Sequence, residues 1–287
     1  MFESFSRSWE LIKASWQVLR ADRELLLFPF LSMIGMIIVS ILFFIPLAAT
    51  GLVDQAASGE QVSSGQSVIG FVILFLFYLV TYTVIIFSNT ALIGAAMMRL
   101  RGEDPTVADG FNIARSHLTQ IIEYAAISAT IGMILNALRN QDNFLTQILA
   151  SIVNVAWNVV TFLVIPVLIV ENVGAIDAIK RSGSLLKKTW GEQLIASSGI
   201  GFVMFLVSIA AMFVIGAPLF LLASVTGSGV IAVFAIAVVV LVLVFFSLIG
   251  GALGGIFQAA LYRYATEGTA GEFFDESLVA GAFKPKR

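Results

Sequence analysis

Apolar residues arrive in long uninterrupted runs along this chain, and the charged ones are confined to the gaps. Residues 25–53, 61–98, 143–170 and 193–262 contain no Asp, Glu, Lys or Arg. Each run exceeds the roughly 20 residues with which a helix crosses a bilayer. A membrane β-barrel would instead alternate polar and apolar positions over segments of about 10 residues. The last run would make a single helix of about 105 Å at 1.5 Å per residue, so it must fold back. SVTGSG (224–229) is the turn signal within it. Six spans follow, at about 25–50, 68–98, 118–138, 145–170, 194–223 and 230–263.

Three shorter stretches carry a different pattern. Over about 2–20, Phe2, Phe5, Trp9, Ile12, Trp16 and Leu19 recur every three or four positions, and Glu3, Arg7, Glu10, Lys13, Gln17 and Arg20 fall opposite. Aromatic residues facing charges describe a helix lying at the headgroup level, or one packed on a partner protein. Similar helices are expected over about 106–117 and 175–190, the first opened by a capping box of Thr106 and Asp109. Segment 1–265 then forms one polytopic membrane domain, and 266–287 is a polar, partly ordered cytoplasmic tail.

Charge placement orients the spans. Fifteen of the 16 Lys and Arg residues flank alternate ends of the six spans, and Arg139 alone lies on the other side. By the positive-inside rule both termini are cytoplasmic, in a cell membrane. MFESFSRSWE places acids and aromatics where a secretion signal would carry a basic region, so no leader is expected there.

RSWELIKASW (7–16) matches RSGSLLKKTW (181–190) in type at seven of ten positions. Asp109-Gly-Phe-Asn occupies the place of Asp177-Ala-Ile-Lys before the third span. The pattern reads as three repeats of one amphipathic helix plus two spans, or as convergence on amphipathic composition. Such repeats are common in transporters.

Composition narrows the chemistry. The chain is 59% hydrophobic and 12% charged, with no cysteine and a single histidine, His117. Thiolate chemistry is excluded and a histidine-rich metal site is not expected. No H-E-x-x-H, G-x-S-x-G or phosphate-binding loop occurs, so neither an enzyme nor a cofactor is expected. The net charge of −2 says little, because in a membrane protein the distribution of charge matters more than its sum, and nucleic acid is not among the expected partners.

RSWELIKASW, LRGEDPTVADGF, WNVVTFLVIPVLIVEN, KRSGSLLKKTWGEQ and LYRYATEG together resemble a prokaryotic six-span family catalogued as a domain of unknown function. The resemblance covers nearly the whole chain and implies an all-α integral membrane fold. More distantly, the repeat plan is similar to the membrane domain attached to some glycerophosphodiester phosphodiesterases. No soluble catalytic domain accompanies it here, so that activity is not implied.

Candidate site residues are polar groups inside or beside the spans. Asn154 and Asn158 share one helix face with Thr161, and Pro166 cannot bond the carbonyl of Phe162. Together they could bind a cation, a polar headgroup or water, or simply bond between helices. Glu123 is the one acid inside a span, either functional or paired with a residue such as Arg115. Glu171 reads as a boundary residue or ion-pair partner. An intramembrane enzyme would need Glu123, Glu171 and His117 to converge. Gly250, Gly251, Gly254 and Gly255 form overlapping small-xxx-small pairs for helix packing, with Gly199 and Gly201 as a counter-surface. Arg181, Lys187, Lys188 and Trp190, with Trp9 and Trp16, suit lipid headgroups. The expected function is transport or binding of a small or amphipathic molecule on the polar side of spans three and four. The alternative is a scaffold or assembly factor. Expected partners are membrane lipids, a second copy or another membrane protein.

Overall fold

A computed structural model describes residues 2–51, 64–141, 143–190 and 206–280 of the chain. The described residues are helical, with no strand among them, and six helical segments are long and apolar enough to cross a membrane. The loop at 52–63, the start of the fifth apolar run with Gly199 and Gly201, the side chain of Trp190 and the basic end KPKR lie outside the described residues.

Helix α1 runs Phe2–Ala21, and α2 runs Leu27–Ala49 after a 3-10 turn at Arg23–Leu26. Then come α3 (Ser64–Leu100), α4 (Val107–Ser116), α5 (Leu118–Arg139), α6 (Phe144–Val160), α7 (Val164–Glu171) and α8 (Ala175–Trp190). Helix α9 (Ala217–Thr226) follows a π-helical turn at Met212–Gly216, α10 covers Gly229–Glu267, and α11 covers Glu276–Ala280. The π turn has a local cause. Pro218 has no N–H to give to the turn before it, and the backbone widens there instead of closing an α turn.

Boundaries follow cap chemistry. Thr106 accepts the N–H of Asp109 while Asp109 accepts that of Thr106, completing the capping box that the spacing predicts. Asn143 caps α6 through Leu145 N–H. Gly227 at φ +63° closes α9 and the hydroxyl of Ser228 opens α10, which makes the hairpin within SVTGSG. Asn172 ends α7 at φ +47°, a left-handed conformation that Asn tolerates better than most residues.

The chain divides into two compact units. One comprises residues 1–29, 96–105 and 187–287. In it α1 packs on α10, and Leu11, Ile12, Ser15, Val18 and Leu19 are buried. The buried side of α1 coincides only in part with the apolar face that the periodicity predicts. Ile12 and Leu19 belong to it, but Trp9 and Trp16 are each 41% exposed and lie along its edge. The buried arc is rotated around the helix from that face and centres on Ser15 and Val18. Part of the polar tail is packed: Ala270, Phe274 and Val279 are buried, and α11 touches α1 and α10.

Arg263 is the hub of this unit. Only 8% exposed, it donates to the carbonyl of Leu100 and holds Glu267 through Nε and Nη2 at 3.0 Å. Arg99 bonds Asp104 at 2.8 Å and reaches the carbonyl of Ala21 at 3.4 Å. Both arginines therefore satisfy carbonyls at helix C-termini, which have no partners inside their own helices.

The second unit comprises residues 30–95 and 106–186. Gly94 lies where a Cβ would stand 2.8 Å from Cγ2 of Ile113, so α4 is seated directly on α3. Helices α3 and α5 run antiparallel in contact, since Tyr78 meets Asn136 and Tyr82 meets Gly132. Helices α5 and α6 pack as a hairpin.

Candidate functional site

The expected fourth span is broken, and not at its proline. Helix α6 stops at Val160, three residues turn, and α7 starts at Val164. Pro166 sits in the first turn of α7, where a missing N–H costs little. The break is held from both sides. Thr161 returns its hydroxyl to Trp157 O at 2.7 Å, and Leu163 N–H donates to the hydroxyl of Ser182 on α8 at 3.0 Å. Within the turn the Phe162 N–H donates to the carbonyl of Val159 at 3.2 Å.

Four positions of α5 spaced a full turn apart, Tyr124, Ser128, Gly132 and Asn136, present one face. The Asn136 amide donates to the Tyr78 hydroxyl at 2.9 Å, and the Tyr82 hydroxyl rests 3.0 Å from where a Gly132 Cβ would be. Tyr78 and Tyr82 stack with ring centroids 6.2 Å apart. The hydroxyl of buried Tyr124 lies close to those of Ser128 and of Thr161 at the break. The result is a row of neutral hydroxyl and amide groups through otherwise apolar helices. Sequence reading names Thr161 and misses the tyrosines. The signal was present as Tyr78 and Tyr82 at i, i+4, matched by four small or polar positions on α5.

At one end of this row lies a charged junction. Glu123 is exposed, and its Oε2 accepts the N–H of Ala175 at 3.3 Å, at the start of α8. A carboxylate at a helix N-terminus meets unsatisfied N–H groups and the positive end of the dipole. This replaces the pairing with Arg115 considered from the sequence. Gln120 donates to Asn172 at 3.2 Å, and Glu171 accepts Arg181 Nε with both oxygens, at 2.8 and 3.0 Å. Lys187 and Lys188 are exposed on α8.

The other candidates do not join this cluster. Asn154 is half-buried, Asn158 is exposed, and neither makes a side-chain hydrogen bond among the described residues. The His117 ring contacts Ile113 O at 2.8 Å, and among the described residues no three His, Cys, Asp or Glu side chains group as metal ligands. Glu123, Glu171 and His117 therefore form no convergent acid/base set. A Cβ on Gly251 would make ordinary contact with Pro29 at 3.7 Å, and one on Gly254 would meet nothing within 4 Å. Gly255 is buried and Gly250 half-buried.

No curated protein matches the chain. A family model described as "Family of unknown function (DUF6159)" matches residues 68–273. That stretch takes in α3 to α10, with the tyrosine row and the Glu123 junction inside it, and the chain belongs to this family.

Proposed function

We propose that this is a six-span cell-membrane protein, both termini cytoplasmic, that binds and moves a small or amphipathic molecule along the polar side of its third span, between the second span and the break in the fourth. The six apolar helices and the one-sided placement of Lys and Arg support the topology. Three repeats of amphipathic helix plus two spans account for α1, α4 and α8. Burial agrees at matched positions: Leu11 and Leu185, and Ile12 and Leu186, are buried, and Lys13 and Lys187 are exposed.

One observation carries the functional reading. The Tyr78–Tyr82–Tyr124–Ser128–Asn136 row is uncharged inside apolar helices, and it ends at the carboxylate and guanidinium of Glu123, Glu171 and Arg181. Neutral donors beside hydrocarbon with charges at one end match a molecule that has a polar head and a body of low charge. Lys187, Lys188, Trp9 and Trp16 suit contact with lipid headgroups.

Native mass spectrometry of the purified protein tests this, with phosphatidylethanolamine, phosphatidylglycerol and diacylglycerol as probes. The expected result is retention of at least one lipid, weakened about tenfold or more by Asn136→Leu with Glu123→Gln, a loss of roughly 1.4 kcal/mol. Equal binding by a folded double variant would remove the reading.

A further inference from the structure

On α6 the polar side chains recur with one spacing. Gln147, Ser151, Asn154 and Asn158 fall four, three and four residues apart. That is the heptad alternation that keeps one seam facing a parallel neighbour. Most hydroxyls in the apolar helices are satisfied locally: Ser40, Thr83, Thr130 and Ser151 each return to the carbonyl four residues earlier. Gln147 bonds the carbonyl of Gln141. Asn154 and Asn158 stand apart, because they make no side-chain hydrogen bond among the described residues and Asn158 is exposed.

Asn158 is also as far from water as a residue of this segment can be. It is the fifteenth of the 28 residues of Phe144–Glu171. Water cannot satisfy an amide at that depth, and hydrocarbon offers it nothing. One flank of the seam, Phe144, Ile148 and Val155, is apolar and exposed, and the other runs into fully buried Ala150.

We infer that the Gln147–Asn158 seam is a homotypic interface, on which a second copy of this chain places its own Asn154 and Asn158. The inference rests on reading Phe144–Glu171 as a membrane span. An amide carries both a donor and an acceptor, so Asn pairs with Asn without a change of partner type. A two-fold axis along the membrane normal brings each Asn to its counterpart at the same depth. A second copy thus supplies the matching number of amides at the matching height.

Because the chain has no cysteine, single-cysteine variants test this directly. Ser151→Cys lies in the seam, and its hydroxyl serves only its own helix. Ile152→Cys is 60% exposed on a different side of α6 and is the control. In native membranes under mild oxidation, Ser151→Cys is expected to give a disulfide-linked dimer and Ile152→Cys is not. Adding Asn154→Leu and Asn158→Leu to Ser151→Cys is expected to abolish the dimer. Glu123→Gln added instead is expected to leave it unchanged, which separates this interface from the lipid-binding reading. The wild-type chain, labelled and diluted in liposomes, is expected to bleach in two steps. Single-step bleaching overturns the inference and leaves a lipid or a different protein as the cover of the amides. Equal crosslinking at Ile152, or an undiminished dimer in the Leu variant, overturns it too.

Discussion

The hydroxyl of Ser182 fills the hydrogen-bonding gap left at Leu163, accepting its N–H at 3.0 Å where both residues are fully buried. The amphipathic helix α8 therefore completes the break between α6 and α7. Gly183 lies alongside, with its Cβ position 3.5 Å from Val160.

Ser182→Ala leaves that N–H buried with no acceptor. The expected loss is about 1–3 kcal/mol of stability, measured as a lower melting temperature in detergent. Ser182→Thr keeps an acceptor and should lose less. Equal melting of Ser182→Ala and wild type would show that the break closes without the hydroxyl.

Arg263 and Gly271 hold the C-terminal segment together. Gly271 takes φ +94°, and a Cβ there would stand 2.9 Å from the carbonyl oxygen of Leu100, the acceptor of Arg263. Arg263→Met should lose about 1.5–3 kcal/mol, toward the low end because Glu267 is 39% exposed. Gly271→Ala should loosen the same segment by strain and collision. Hydrogen exchange over 268–280 reads both variants. Unchanged protection in both would mean that α11 is held by its apolar contacts alone.

Asp22 gives a pH dependence. Burial raises its carboxyl above the ordinary value of 3.8, its Oδ1 accepts Glu24 N–H at 3.2 Å, and its Oδ2 is buried without a partner. A carboxyl that binds its proton more tightly when folded destabilises the fold above its raised pKa. That penalty fades as pH falls toward 3.8, where the unfolded carboxyl also titrates. Asp22→Asn keeps an acceptor for Glu24 and removes the buried charge. It should raise the melting temperature at pH 7, with the gain shrinking at acidic pH. A gain that grew on acidification would contradict the assignment.

Much of this architecture was legible in the residues alone, because the forces that set it are local. A run of apolar side chains long enough to cross a bilayer forms a helix, since no other open structure satisfies its backbone there. Thr106 with Asp109 caps α4, and the glycine and serine of SVTGSG turn the chain, through bonds within four residues. What tertiary structure decided were relations between segments distant in sequence. It moved the interruption of the fourth apolar run from Pro166 to Thr161–Leu163, where Ser182 waits with an acceptor. It assigned Glu123 to the N–H of Ala175 in preference to Arg115, and it set Tyr78 and Tyr82 beside the polar face of α5. Periodicity says which side of a helix is apolar. Which neighbour meets that side depends on how the helices pack, and a hydrogen bond across 52 or 58 residues exists only once they have.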